Sequence, residues 1–174
     1  MVKAIFPGTF DPIHYGHIDI AERAACLFDE LIIGVYDKPL KNLLFSPEER
    51  IDMVKNSFRE NQPIRVMGYC DLTVDFSKSV GAKVIVRGLR VFSDFEHEFR
   101  MALANRRLDK DIEVAALITS EQHTFLSSTT VREIASLGGD VSTMVPSHVE
   151  SALKEKMKKI NENERFNHQT SLRD

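Results

Sequence analysis

The sequence predicts an α/β fold: a doubly wound, five-stranded parallel sheet with helices on both faces. Three observations carry this. Short apolar runs recur along the chain, and the first lacks the polar alternation of a half-exposed strand, as a strand covered on both faces would. Segments with helical spacing, bounded by capping residues, separate the runs. The first strand, helix and second strand close within about 35 residues, as a βαβ unit does.

Residues 2–6 are the first strand, and Pro7-Gly8-Thr9-Phe10-Asp11-Pro12 is expected to stop it. Residues 17–28 form a helix with Ile18, Ala21, Ala25 and Phe28 on one face, and residues 31–36 the second strand. A loop over 37–46 leads to Ser46-Pro47-Glu48-Glu49, which combines a serine cap, proline at N1 and glutamate at N3. That helix runs to Phe58. Residues 64–69 are the third strand, and Asp71 caps a helix that Gly81 ends. Residues 83–86 are the fourth strand. Ser93 and Glu96 form a capping box for a helix over 94–108, whose Phe95, Phe99 and Leu103 face is assigned to the core. Residues 112–118 are the fifth strand and 119–128 a loop. A short helix to Leu137 is stopped by Gly138-Gly139, and a last helix after Pro146 carries Val149, Leu153, Met157 and Ile160 on one face. The tally is a Rossmann-like sheet, with ligands gathering beyond the carboxyl ends of its strands.

The 174 residues suit one domain over 1–160, with 161–174 a polar, disordered tail. With 43% hydrophobic and 28% charged residues the balance is ordinary, and a net charge of −3 argues against bulk nucleic-acid binding. Cys26, on the apolar side of the first helix, is expected to be a buried free thiol, and Cys70 inert. There is no signal peptide and no apolar stretch long enough to span a membrane, so no membrane partner is expected and the cytoplasm is the default location.

Strand, glycine turn and helix at the N-terminus aim free backbone N–H groups at an anion. Thr9, His14 and His17 follow the first strand, Lys38 and Lys41 the second, Asp71, Leu72 and Thr73 the third, Arg87 and Arg90 the fourth, and Ser127, Ser128 and Thr129 the fifth. Arginines, lysine, hydroxyls and a helix N-terminus suit a polyphosphate. The Walker lysine, the dinucleotide glycine fingerprint and the nucleophile elbow are absent. Each residue also has a plain reading: His17 bracing its helix, Asp71 as a cap, Lys41, Arg87, Arg90 and Glu98 as solvated charges.

His14-Tyr15-Gly16-His17 matches the T/H-x-G-H signature of the nucleotidylyltransferase superfamily, and Phe125 to Arg132 resembles its I-S-S-T-x-x-R signature, with Leu126 in the isoleucine position. Phe6 to Pro12, Arg87-Gly88-Leu89-Arg90 and Asp94 to Glu98 resemble motifs of the phosphopantetheine adenylyltransferase family, over about residues 3–158. The resemblance implies transfer of the adenylyl group of ATP to 4′-phosphopantetheine, with Mg²⁺ as cofactor, by direct attack of the acceptor phosphate on the α-phosphorus. It further implies catalytic roles for His17, Lys41, Thr9 and Arg90. Acceptor contacts fall to Thr9, Lys41, Leu72, Thr73, Arg87, Met101 and Asn105. ATP contacts fall to Thr9, Phe10, His14, His17, Gly88, Leu89, Arg90 and Glu98, and to His123, Thr124, Phe125, Leu126, Ser127, Ser128 and Thr129. No metal ligand is implied. A homohexamer inhibited by coenzyme A is implied, and exposed apolar residues on the 94–108 helix would suit its interface. Thr73 and His97 depart from the family pattern. The alternatives are a nicotinate mononucleotide adenylyltransferase, a small cytidylyltransferase, or a silent nucleotide- or coenzyme A-binding module.

Overall fold

A computed structural model describes residues 1–38 and 43–171. Its strands are β1 (Lys3–Gly8), β2 (Glu30–Tyr36), β3 (Ile64–Tyr69), β4 (Val84–Leu89) and β5 (Glu113–Ile118). All pair in parallel, in the order β3-β2-β1-β4-β5. The helices are α1 (Tyr15–Ala25), α2 (Pro47–Lys55), α3 (Thr73–Ser79), α4 (Phe92–Leu108), α5 (Ser128–Ser136) and α6 (Ser147–Ser171).

Alternation along the strands feeds two cores. Ala4, Phe6, Leu31, Ile33, Val35 and Val86 pack with α1, α2, α5 and α6 on one face. Ile5, Ile32 and Ile85 pack with Val74 and Phe76 of α3 on the other. Full burial on both faces is what the uninterrupted apolar runs require.

Several local expectations change. β1 continues through Pro7 and Gly8, and β4 through Arg87 to Leu89, because parallel pairing with β2 and with β5 extends both strands. Leu72, not Asp71, is the N-cap of α3, and Asp71 lines the main cavity instead. The α2 capping box forms as expected. The one expected at Ser93 does not: α4 starts at Phe92 because Asp94 is drawn back to accept the Arg90 backbone N–H at 3.1 Å. Cys26 is exposed, since α1 ends at Ala25 and its buried stripe runs through Ile18, Ile20, Ala21 and Ala24. The α4 face with Phe95, Phe99 and Leu103 is not core, and α4 has no buried residue. The α6 backbone is helical over Ser147–Ser171.

Chain order reverses direction between β1 and β4, the switch point at which this architecture opens a crevice. β1 pairs with β2 along its whole length but with β4 only at Ala4↔Val84 and Ile5↔Ile85. The Pro7 carbonyl faces β4, and proline has no N–H to extend the ladder on that edge. Beyond Ile5 the strands part, and Arg87 Nη1 spans the gap to donate to the Pro7 carbonyl at 2.9 Å.

Candidate active site

A cavity of about 630 Å³ lies over this gap. β1 and the turn after it supply Thr9 and Phe10, and the start of α1 supplies His14 and His17. β4 and the residues after it supply Arg87, Gly88 and Arg90, α4 supplies Glu98, the residues after β3 supply Leu72 and Thr73, and the α5 start supplies Ser127 and Ser128. Met101 and Asn105 line a smaller cavity of about 180 Å³ that shares Pro7, Thr73, Arg87, His97 and Glu98 with the first. Leu89, His123, Thr124, Phe125, Leu126 and Thr129 are not among the residues lining either cavity. Leu126 is fully buried and takes part through its carbonyl, which accepts from Arg90 Nη1 at 2.8 Å. Lys41 lies outside the described residues. Tyr36, Tyr69 and Thr119 also line the main cavity. Their signal in the sequence was their place at the end of, or just beyond, apolar runs.

His14 is the N-cap of α1, and its ring stacks on that of His17 at 3.7 Å between centroids. Gly16 permits this: a Cβ there would stand 3.1 Å from the His14 ring. Phe10 presents its ring to His17 at 5.0 Å, nearly perpendicular. The Nδ1 atoms of both histidines are covered and lack a hydrogen-bond partner among the described residues. Burial, then the charges of Arg90 and His123, holds His14 down to about 3. Burial, then His14, Arg90 and Arg87, holds His17 well below the usual imidazole range. Both are neutral at pH 7.

This sets a dependence of stability on pH. In the unfolded chain both imidazoles titrate near 6.5, whereas the folded state resists protonation. Between these values the unfolded state binds more protons, so stability is full above about 6.5 and falls as pH drops toward the folded value, by roughly 1.4 kcal/mol per pH unit per imidazole. Thermal melts of the wild type are expected to lose stability steeply between pH 6.5 and 5. His14→Asn should flatten the slope, and equal slopes for the two proteins would refute the assignment.

The arginines are engaged. Arg87 donates from Nε and Nη2 to Glu98 at 2.7 and 2.6 Å. Arg90 donates from Nε and Nη2 to Asp94 at 3.1 and 3.2 Å. Two guanidiniums beside the β1–β4 gap thus hold carboxylates where a phosphate would offer the same geometry. At the far rim, Ser127 caps α5 by accepting from the Thr130 N–H at 3.0 Å, and Ser128 Oγ donates to the Pro12 carbonyl at 2.8 Å. Among the described residues no three His, Cys, Asp or Glu side chains gather as metal ligands, and the Glu98 and Asp94 carboxylates are occupied by arginine.

The sequence profile of the cytidylyltransferase-like family matches residues 5–134. The phosphopantetheine adenylyltransferase of Roseiflexus sp. strain RS-1 is 52% identical over 154 residues, covering 88% of this chain and 96% of the relative. That of Ralstonia pickettii is 51% identical over 156 residues, covering 90% and 93%. That of Herpetosiphon aurantiacus is 46% identical over 155 residues, covering 89% and 94%. With both signatures set on one cavity at the sheet's switch point, and identity of this degree along nearly the whole of each relative, the chain belongs to the phosphopantetheine adenylyltransferase family.

Proposed function

We propose that this chain transfers the adenylyl group of ATP to 4′-phosphopantetheine, giving 3′-dephospho-coenzyme A and pyrophosphate. The observation that carries the reading is the convergence of Arg87 and Arg90 with His14 and His17 across one gap, with a smaller cavity of mixed lining, Met101 and Asn105 included, opening beside Arg87. An oxygen of the acceptor phosphate attacks the α-phosphorus of ATP in line. The new P–O bond forms as the bond to the bridging oxygen breaks, and pyrophosphate departs with that electron pair. Such a reaction needs placement and charge stabilisation rather than a covalent intermediate.

Arg87 grips the acceptor phosphate with Thr9 and Lys41, and the arm runs past Leu72 and Thr73 toward Met101 and Asn105. His17, neutral before ATP arrives, donates an N–H to an α-phosphate oxygen. Arg90, His14, Phe10, Gly88, Leu89, Glu98 and the stretch from His123 to Thr129 hold the nucleotide. Mg²⁺ would accompany ATP and would neutralise part of the charge that develops on the phosphates during transfer.

Residues 1–160 act as the catalytic unit, in the cytoplasm. Coenzyme A, which carries the same arm and adenine, competes for the cavity; inhibition competitive with 4′-phosphopantetheine tests this. The outward Phe92, Phe95 and Phe99 rings, successively 6.3 and 5.8 Å apart, support assembly of copies into a hexamer. A monomeric mass by light scattering would refute that.

An acceptor panel with labelled ATP decides the main reading. Pyrophosphate release with 4′-phosphopantetheine must exceed that with nicotinate mononucleotide, and binding without release would leave a silent module.

A further inference from the structure

We propose that Arg50, on α2, is a positioning residue for the turn that carries Thr9 and Phe10. The inference rests on the adenylyl-transfer reading of the cavity. Arg50 is fully buried. A guanidinium is costly to take out of water and is ordinarily compensated by a carboxylate. Among the described residues Arg50 has no such salt bridge. Its hydrogen bonds go instead to backbone carbonyls. Nη1 donates to Thr9 and to Tyr36, each at 2.7 Å, and Nε to Phe45 at 3.3 Å. Thr9 and Tyr36 both line the main cavity.

The Thr9 carbonyl lies immediately before Phe10, whose φ of 51° is in the left-handed region that a residue with a Cβ resists. Such a conformation persists only where the surroundings over-determine it. On the other side of Phe10, Arg132 of α5 donates to the Asp11 carbonyl and, at 3.2 Å, to Asp11 Oδ2. The Asp11 carboxylate in turn accepts the N–H groups of Leu44 and Phe45, each at 3.0 Å. Two guanidiniums from different helices thus fix the carbonyls that flank the strained residue. The Phe10 ring is itself buried against His17. The turn therefore sets both the outlook of Thr9 and the wall against which His17 rests.

Arg50→Met keeps the bulk and removes the donors. The expected result is a folded protein whose kcat falls by about 10- to 100-fold, the scale of a misplacement near 1 Å. Amide hydrogen exchange over residues 9–11 should speed up, while exchange in β5 and α6 stays as in the wild type. Arg50→Lys should fall between in both readouts, because one ammonium on a shorter arm still reaches a carbonyl. A folded Arg50→Met with full turnover, or one slowed without faster exchange at the turn, would overturn the proposal. If Arg50→Met does not fold, Arg50→Lys decides: slowed turnover together with faster exchange supports the proposal, and either alone, or neither, overturns it. The exchange measurement needs no substrate. A wild type that fails to release pyrophosphate would therefore sink the adenylyl-transfer reading without touching the test of the turn.

Discussion

Replacing His17 by alanine is expected to slow pyrophosphate release from ATP and 4′-phosphopantetheine by at least about 100-fold, the scale of losing one donor to a developing oxyanion. The KM of each substrate should change far less, since the bond strengthens as charge grows on the transferring group. The ring is braced for this: His14 stacks beneath it and Phe10 stands against it. Because burial and the neighbouring cations keep it neutral, it brings an N–H without another full positive charge. His17→Gln, which retains a donor, should recover part of the loss. Full turnover in His17→Ala would remove the imidazole from the mechanism.

Arg87→Ala is expected to lower kcat/KM for 4′-phosphopantetheine by about 100-fold, as a bidentate grip on a charged phosphate is lost. The single variant also strands Glu98, whose side chain is 13% exposed in the pair, so stability should fall with it. Arg87→Ala combined with Glu98→Gln separates the two effects. The double variant should regain thermal stability while affinity for the acceptor stays poor. Arg87→Lys should remain well below wild type because an ammonium cannot form the fork. If the double variant recovered acceptor affinity along with stability, Arg87 would be no more than a brace for α4.

The strand count and the convergence of the site were legible in the sequence because apolar runs are local signals and this sheet sends their carboxyl ends to one side. Where the strands end was not local. Pro7 reads as a terminator, yet β1 passes through it because only the β4 edge needs the missing N–H. Helical spacing gave α4 a face at Phe95, Phe99 and Leu103 but not what lies opposite that face, and the residues are exposed. Arg50 was invisible for a related reason: within Glu48-Glu49-Arg50 it reads as one more charge on a capped helix. Two of the three carbonyls it reaches, those of Thr9 and Tyr36, are distant in sequence. Lys41 was legible only through family resemblance, since a lysine in a polar loop has no local signature.

The early parting of β1 from β4 leaves the sheet as two leaves, β3-β2-β1 and β4-β5, joined by backbone pairing only at Ala4↔Val84 and Ile5↔Ile85. The histidines follow the first leaf and the arginines belong to the second. A molecule that bridges the slot touches both leaves at once, so each substrate meets side chains from either side of the shortest pairing in the sheet. Acceptor affinity measured with and without a bound nucleotide reads how far so short a seam couples the two sides.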